Sequence, residues 1–170
     1  DNLWDLTALP GRLLVLGGGP IGCELAQSFA RLGSQVTLID MEERLLPRED
    51  PEVSEHMAAV FQREGIDVRL GHRATRCEAA GDSPLRGAGT LIAETAAGPV
   101  SIPFDRVLVA LGRRPDTTGL GLEELGIEIG SSGNVVVDDY LRTSVPNVFG
   151  CGDLVGPYQF THMAAHQAWY

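Results

Sequence analysis

Three glycines, Gly17, Gly19 and Gly22, follow the apolar run of residues 13–16 and lead straight into a segment of helical period. The spacing Gly-x-Gly-x-x-Gly after a strand and before a helix suits the binding of a dinucleotide pyrophosphate. Gly17 permits the tight turn, Gly19 lets backbone approach the phosphates, and Gly22 lets the helix pack close to the strand. The amides and positive end of that helix, with Pro20 and Ile21 in its first turn, then face the anion. A second apolar run, residues 35–39, ends in Asp40. That is about twenty residues past the glycines, where an acidic side chain meets ribose hydroxyls. Glu42 and Glu43 follow, and Arg44 is the one cation beside them. Three carboxylates there would repel a 2′-phosphate, so the pattern, together with glycine at 22, favours NAD(H) over NADP.

The elements that would carry these residues follow from periodicity. Residues 12–16 read as a strand and 20–33 as a helix whose inner face is Ile21, Leu25, Phe29 and Leu32, stopped by Gly33. After the strand 35–39, Asp50-Pro51 starts a second helix with an N-cap carboxylate and a first-turn proline. Val53, Met57, Val60 and Phe61 form its inner face, and Gly65 ends it before a strand at 66–70. Strands alternating with helices imply a parallel sheet. From Gly71 the helical period disappears. Residues 73–79, 89–95 and 99–103 read as an antiparallel meander, with 79–89 as its most mobile loop. Residues 106–111 rejoin the parallel sheet and end at Gly112. Residues 134–138 and 147–150 read as two further strands, and Phe160 opens a last helix. The expected fold class is α/β: a Rossmann-like parallel sheet with helices and an antiparallel β-meander, plus a partial second domain.

Two more motifs narrow the field. One is the strand 107–111 running into Gly112-Arg113-Arg114-Pro115-Asp116. The other is Thr143-Ser144-Val145-Pro146-Asn147-Val148-Phe149-Gly150-Cys151-Gly152-Asp153. With the opening glycines, and in this order, they resemble the class I pyridine nucleotide–disulfide oxidoreductases, of the lipoamide dehydrogenase and mercuric reductase-like kind. The resemblance covers nearly the whole chain. It implies an NAD(H)-binding domain over residues 1–115 and, over 116–170, the returning segment of an incomplete FAD-binding domain. The chain would then be the excised middle of a longer, homodimeric flavoenzyme, its redox cysteine pair upstream and its dimerisation domain downstream.

The resemblance also implies roles for particular residues. Glu24 would face the nicotinamide and a lysine of the flavin domain; on its own it reads equally as a helix-surface carboxylate. Pro20 stands where glutathione reductase-type relatives carry a tyrosine lid, which disfavours that branch. Gly112 would leave room for the nicotinamide ribose, or is a plain turn glycine. Asp153 would accept a hydrogen bond from the ribityl chain of FAD, as an acceptor-only carboxylate can. Phe160, Thr161 and His162 would start the helix that points at the flavin ring, where its dipole meets developing negative charge. In the parent enzyme NAD(P)H would exchange hydride with flavin, and the flavin with a cysteine pair. The alternatives are a flavin NADH oxidase, peroxidase or transhydrogenase, and a non-catalytic NAD-binding module. The Gly-Asp motif argues against the last.

Composition excludes other classes. The 170 residues carry a net charge of −10, which opposes binding to nucleic acid or anionic membranes. No apolar run approaches a membrane span. Cys23, Cys77 and Cys151 are too scattered for a zinc site or a disulfide framework and read as thiols of a reducing, cytoplasmic compartment. His162 and His166 stand at i, i+4 without further ligands, so no metal is expected. With a single Gly-x-Gly-x-x-Gly, assigned to NAD, the isolated chain is expected to carry no flavin and to be inactive alone.

Overall fold

The computed structural model describes residues 3–79 and 87–169, and the chain divides between Gly112 and Arg113 into two compact units. In the first unit a 3-10 turn at Leu3–Asp5 leads into β1 (Arg12–Leu16), α1 (Pro20–Arg31), β2 (Gln35–Ile39), α2 (Pro51–Arg63) and β3 (Asp67–Arg69). The meander β4 (Arg73–Ala79), β5 (Gly89–Thr95) and β6 (Gly98–Phe104) follows, and β7 (Arg106–Val109) closes the unit. The four parallel strands lie in the order β3-β2-β1-β7, and β4-β5-β6 form a separate antiparallel sheet. The α/β reading with a meander is therefore borne out. The loop expected to be most mobile falls largely on residues 80–86, outside the described residues.

The apolar runs of the central strands have a simple cause: both faces are covered. Leu13 and Val15 of β1 point into a core with Val36, Leu38, Cys23, Ala26 and Phe61. Leu14 and Leu16 point the other way, onto Leu91, Ala93, Ile102 and Phe104 of the meander. β1 is thus the central layer of a three-layer unit. From it the chain winds outward through β2 to β3, then crosses by way of the meander to β7 on the opposite side. The strand order reverses between β1 and β7, and in open parallel sheets ligands bind outside the carboxyl ends of the strands at such a point. β7 is an outer strand; its other edge pairs with no strand among the described residues. Arg12 clamps the far end, donating through its backbone N–H (2.7 Å) and its guanidinium (3.1 and 2.7 Å) to Asp105 just before β7.

Several expectations need correction. The fully buried face of α1 is Gly22, Cys23 and Ala26; of the expected apolar stripe, Phe29 packs against their core. Ile21 is 50% exposed and Leu32 more so, while Ile21, Leu25 and Phe29 line an open groove of about 580 Å³ with Leu6 and Val107. The reason is close packing at Gly22, which turns the small residues of α1 toward the sheet. On α2, Val53 is exposed and Ser54 is buried in its place. Asp50 does occupy the N-cap, in extended conformation, but its carboxylate makes no capping hydrogen bond. Residues 134–138 and 147–150 form no strands. Val135 and Phe149 make isolated antiparallel bridges to Ile129 and Arg142. The second unit instead folds as loops around a small core of Ile127, Val135 and Val155, with one helix, α3 (Thr161–Trp169). No helix among the described residues is long and apolar enough to cross a membrane.

At Gly22 a Cβ would stand 1.9 Å from the Gly17 carbonyl oxygen, whereas at Gly19 it would meet nothing within 4 Å. Gly22→Ala is therefore expected to destabilise the chain by about 3 kcal/mol, as overpacking against backbone does. Gly19→Ala should be near neutral. Thermal unfolding of the two variants checks this: equal midpoints would contradict the close contact.

Candidate functional site

The site is built at the carboxyl ends of β1, β2 and β7. Leu16 is in register with Ile39 on one side and Val109 on the other. Directly beyond, the Gly17 N–H donates to the Ile39 carbonyl (2.9 Å) and the Ala110 N–H to that of Leu16 (2.8 Å). Gly17 is wedged between these ends with φ +107°, and a Cβ there would come within 2.5 Å of the Ala110 oxygen. Only glycine takes that conformation without strain. The chain then passes through Gly18 to Gly19, which caps α1 in extended conformation (φ −75°, ψ −178°) with no side chain on the helix terminus. First-turn amides of a helix have no partner within it. Here they open onto the space that Gly19 leaves clear.

Asp40 sits beside this turn. Its Oδ2 accepts the Gly18 N–H at 2.5 Å and its Oδ1 the Glu42 N–H at 2.9 Å. The Asp40 backbone is held as well: its N–H donates to Arg69 (3.1 Å) and its carbonyl accepts from His72 (2.8 Å). The carbonyl of Gly18 is gripped from the opposite side by the Leu46 N–H (2.8 Å) and by the Cys23 thiol, whose Sγ lies 3.3 Å away. Burial, with Asp40 and Glu24 nearby, pushes the Cys23 thiol up to about 11, so it stays a neutral donor at ordinary pH. A Cβ on Gly18 would strike the buried Leu45 at 2.9 Å. Gly18 is thus the best-anchored peptide of the turn.

Sequence reading missed this second wall. Leu45 and Leu46, both buried, carry the loop after β2 back under the glycines, and Leu46 adopts φ +49° to do so. Two adjacent leucines in an otherwise polar stretch were the available signal. Arg44, the one cation beside Asp40 in sequence, turns inward: its Nη2 donates to the Pro47 carbonyl at 2.7 Å, and its Nη1 is buried. Glu42 and Glu43 remain exposed. Gly112 has φ +105° with open space at its Cβ position, while Pro20, Ile21 and Glu24 are exposed on the first two turns of α1.

In the second unit Asp153 lies in a 3-10 turn, Gly152–Leu154. Arg113 Nη1 donates to its Oδ2 at 2.8 Å and to the Gln159 carbonyl at 3.3 Å. Gln167 of α3 accepts the Gly152 N–H at 2.7 Å. Phe160 and His162 stack at the start of α3 with ring centroids 5.4 Å apart, and Thr161 is its first residue. The unit therefore brings Asp153 and the α3 start together through Arg113, a connection the sequence did not suggest. No cluster of three or more His, Cys, Asp or Glu able to hold a metal occurs among the described residues.

Residues 1–168 match the family described as pyridine nucleotide-disulphide oxidoreductase. The chain belongs to that family. It is 36% identical over 163 residues to dihydrolipoyl dehydrogenase of Bacillus subtilis (strain 168), covering 96% of this chain and 34% of that one. It is 43% identical over 164 residues to mercuric reductase of Streptomyces lividans, covering 95% and 33%. Among solved structures, the HOCl-induced flavoprotein disulfide reductase RclA from Escherichia coli superposes with a TM-score of 0.84 at 33% identity, over 97% of this chain and 36% of that one. The chain spans about a third of the length of these relatives.

The three thiols differ in burial: Cys23 is buried with its pKa raised, Cys77 is half-buried and Cys151 is exposed. Reaction with iodoacetamide at pH 8 is expected to modify Cys151 readily and Cys23 only after unfolding, since the thiolate is the nucleophile. A folded-state value above the unfolded one means that stability is lost as pH rises from about 9 through 11. Peptide mass spectrometry of the alkylated protein reads the first effect; rapid labelling of Cys23 in the native chain would contradict it.

Proposed function

We propose that this chain is the nicotinamide-dinucleotide-binding part of an FAD-dependent pyridine nucleotide–disulfide oxidoreductase. The observation that carries the reading is the uncapped start of α1, with side-chain-free space at Gly19 and an acidic side chain at the adjoining strand end. The residues fit the group. Gly17, Gly19, Pro20, Ile21 and Gly22 would border the pyrophosphate, neutralised by the helix start. Asp40 would accept the adenosine ribose hydroxyls, for an ionised carboxylate has acceptor capacity beyond its two backbone bonds. Gly112 and Glu24 would border the nicotinamide end, Gly112 by leaving space and Glu24 by orienting the ring. In the second unit Asp153, Phe160, Thr161 and His162 would serve the flavin: the carboxylate toward its sugar chain, the α3 start toward its ring. When bound, the two cofactors supply hydride exchange; the chain supplies position and field. Membership of the family supports an oxidoreductase acting as a homodimer.

NAD(H) is the preferred dinucleotide in this reading. Arg44 is engaged with Pro47 and partly buried, which leaves Arg48 as the exposed cation of this loop against the three carboxylates Asp40, Glu42 and Glu43, a balance unfavourable to a 2′-phosphate. Cofactor fluorescence titration is expected to give NADH at least about tenfold tighter binding than NADPH, a difference of about 1.4 kcal/mol. Equal or tighter NADPH binding would overturn the preference.

Gly19→Val tests the phosphate site itself. The backbone at Gly19 accepts any residue and a Cβ has room, so circular dichroism should stay native. The added side chain would occupy the space the phosphates need, and NADH binding should be lost. Native binding by a folded variant would place the dinucleotide elsewhere.

A further inference from the structure

We propose that Asp40 is a positioning residue for the phosphate turn as well as the ribose acceptor. Its carboxylate latches the Gly18 peptide in the shape that presents the following amides. This rests on the dinucleotide reading above, and extends it from one half of the ligand to the other. The geometry is specific. Asp40 Oδ2 accepts the Gly18 N–H at 2.5 Å, while the Leu46 N–H and the Cys23 thiol donate to the Gly18 carbonyl. Residue 18 is thus held at its N–H and at its carbonyl, so both peptide groups flanking its Cα are fixed, two residues ahead of the helix start. Asp40 is in turn fixed by the Glu42 N–H at its Oδ1 and by backbone bonds to Arg69 and His72. The β2 end therefore holds the glycine turn through the Ile39 carbonyl, which accepts the Gly17 N–H, and through the one side chain of Asp40.

The latch makes a prediction opposite in sign to simple electrostatics. Asp40 is a negative charge beside a proposed anion site. Removing it should strengthen phosphate binding by Coulomb's law alone, modestly at this part-exposed position. If the carboxylate instead preorganises the turn, removing it should weaken phosphate binding, because the ligand must then order the Gly18 peptide itself. A ligand lacking the ribose hydroxyls separates this from direct ribose contact.

The experiment compares ADP with 2′,3′-dideoxy-ADP on the wild-type chain, Asp40→Asn and Asp40→Ala by calorimetry, together with ¹H–¹⁵N spectra of the ligand-free proteins. Loss of a hydrogen bond to a charged group amounts to about a tenfold change in an equilibrium constant or more. Asp40→Ala is therefore expected to weaken 2′,3′-dideoxy-ADP about tenfold. Asp40→Asn, which keeps an acceptor oxygen for one of the two amides, should fall between. In the ligand-free spectra the Gly18 amide proton should lie far downfield and exchange slowly in wild type. In Asp40→Ala it should move upfield and exchange faster, while the remaining spectrum stays dispersed. Unchanged or tighter dideoxy-ADP binding by Asp40→Ala, with only the ADP advantage erased, would overturn the latch and leave the ribose role standing. If wild type binds neither nucleotide, the dinucleotide reading fails. The Gly18 amide still decides the latch: an amide unaffected by either substitution refutes it.

Discussion

Everything in the first unit is referred to one close contact, that of Gly22 of α1 with the backbone of Gly17 at the end of β1. With no side chain at either residue, the helix descends far enough for Cys23 and Ala26 to meet the sheet. The same descent aims the helix start past the strand end rather than over it. The turn between the two is then short, and its peptides can be bonded on one side by β2 and on the other by the loop that follows. A side chain at Gly22 would lift α1, and the Cys23 thiol would lose the Gly18 carbonyl. Packing and site are thus two aspects of one distance.

That contact also explains which parts of the molecule could be read from the sequence. The strand–turn–helix, the acidic strand end and the meander are local: glycine spacing, residue period and turn chemistry specify them, and all appear where expected. The orientation of α1 is not local. Its large apolar residues suggested the buried stripe, yet the helix is rotated by the glycine approach, so that small residues go inward and Ile21 outward. A period identifies a face, but only the depth of packing decides which face wins. Ser54 in place of Val53 on α2 is the same lesson.

The second unit was the least legible. Residues 134–138 and 147–150 have strand composition, but a strand needs a ladder, and among the described residues each finds a single bridge. The hydrophobic residues instead build a small core, in which Val137 and Val148 pack against buried Ile127, Val135 and Val155, with hydrogen bonds around Asp138, Ser144 and Thr143 ordering the loops. Motif reading did pick out Asp153. What it lacked was the long-range partner, Arg113, forty residues earlier, which joins the Gly-Asp turn to the approach of α3. Both side chains are about half exposed, so the pair fixes geometry more than it adds stability.

The outer edge of β7 has a bearing on how the chain behaves in bulk. Val109 of β7 and Leu111 just beyond it are both well exposed, and a strand edge left unpaired among the described residues, with apolar neighbours, is a template for adhesion between molecules. What opposes adhesion is the net charge of −10, which keeps like chains apart over a Debye length of about 10 Å in 0.1 M salt and about 3 Å in 1 M. Colloidal stability of this chain is accordingly a balance between a short-range sticky edge and a long-range repulsion. Salt concentration sets which of the two a pair of approaching molecules encounters first.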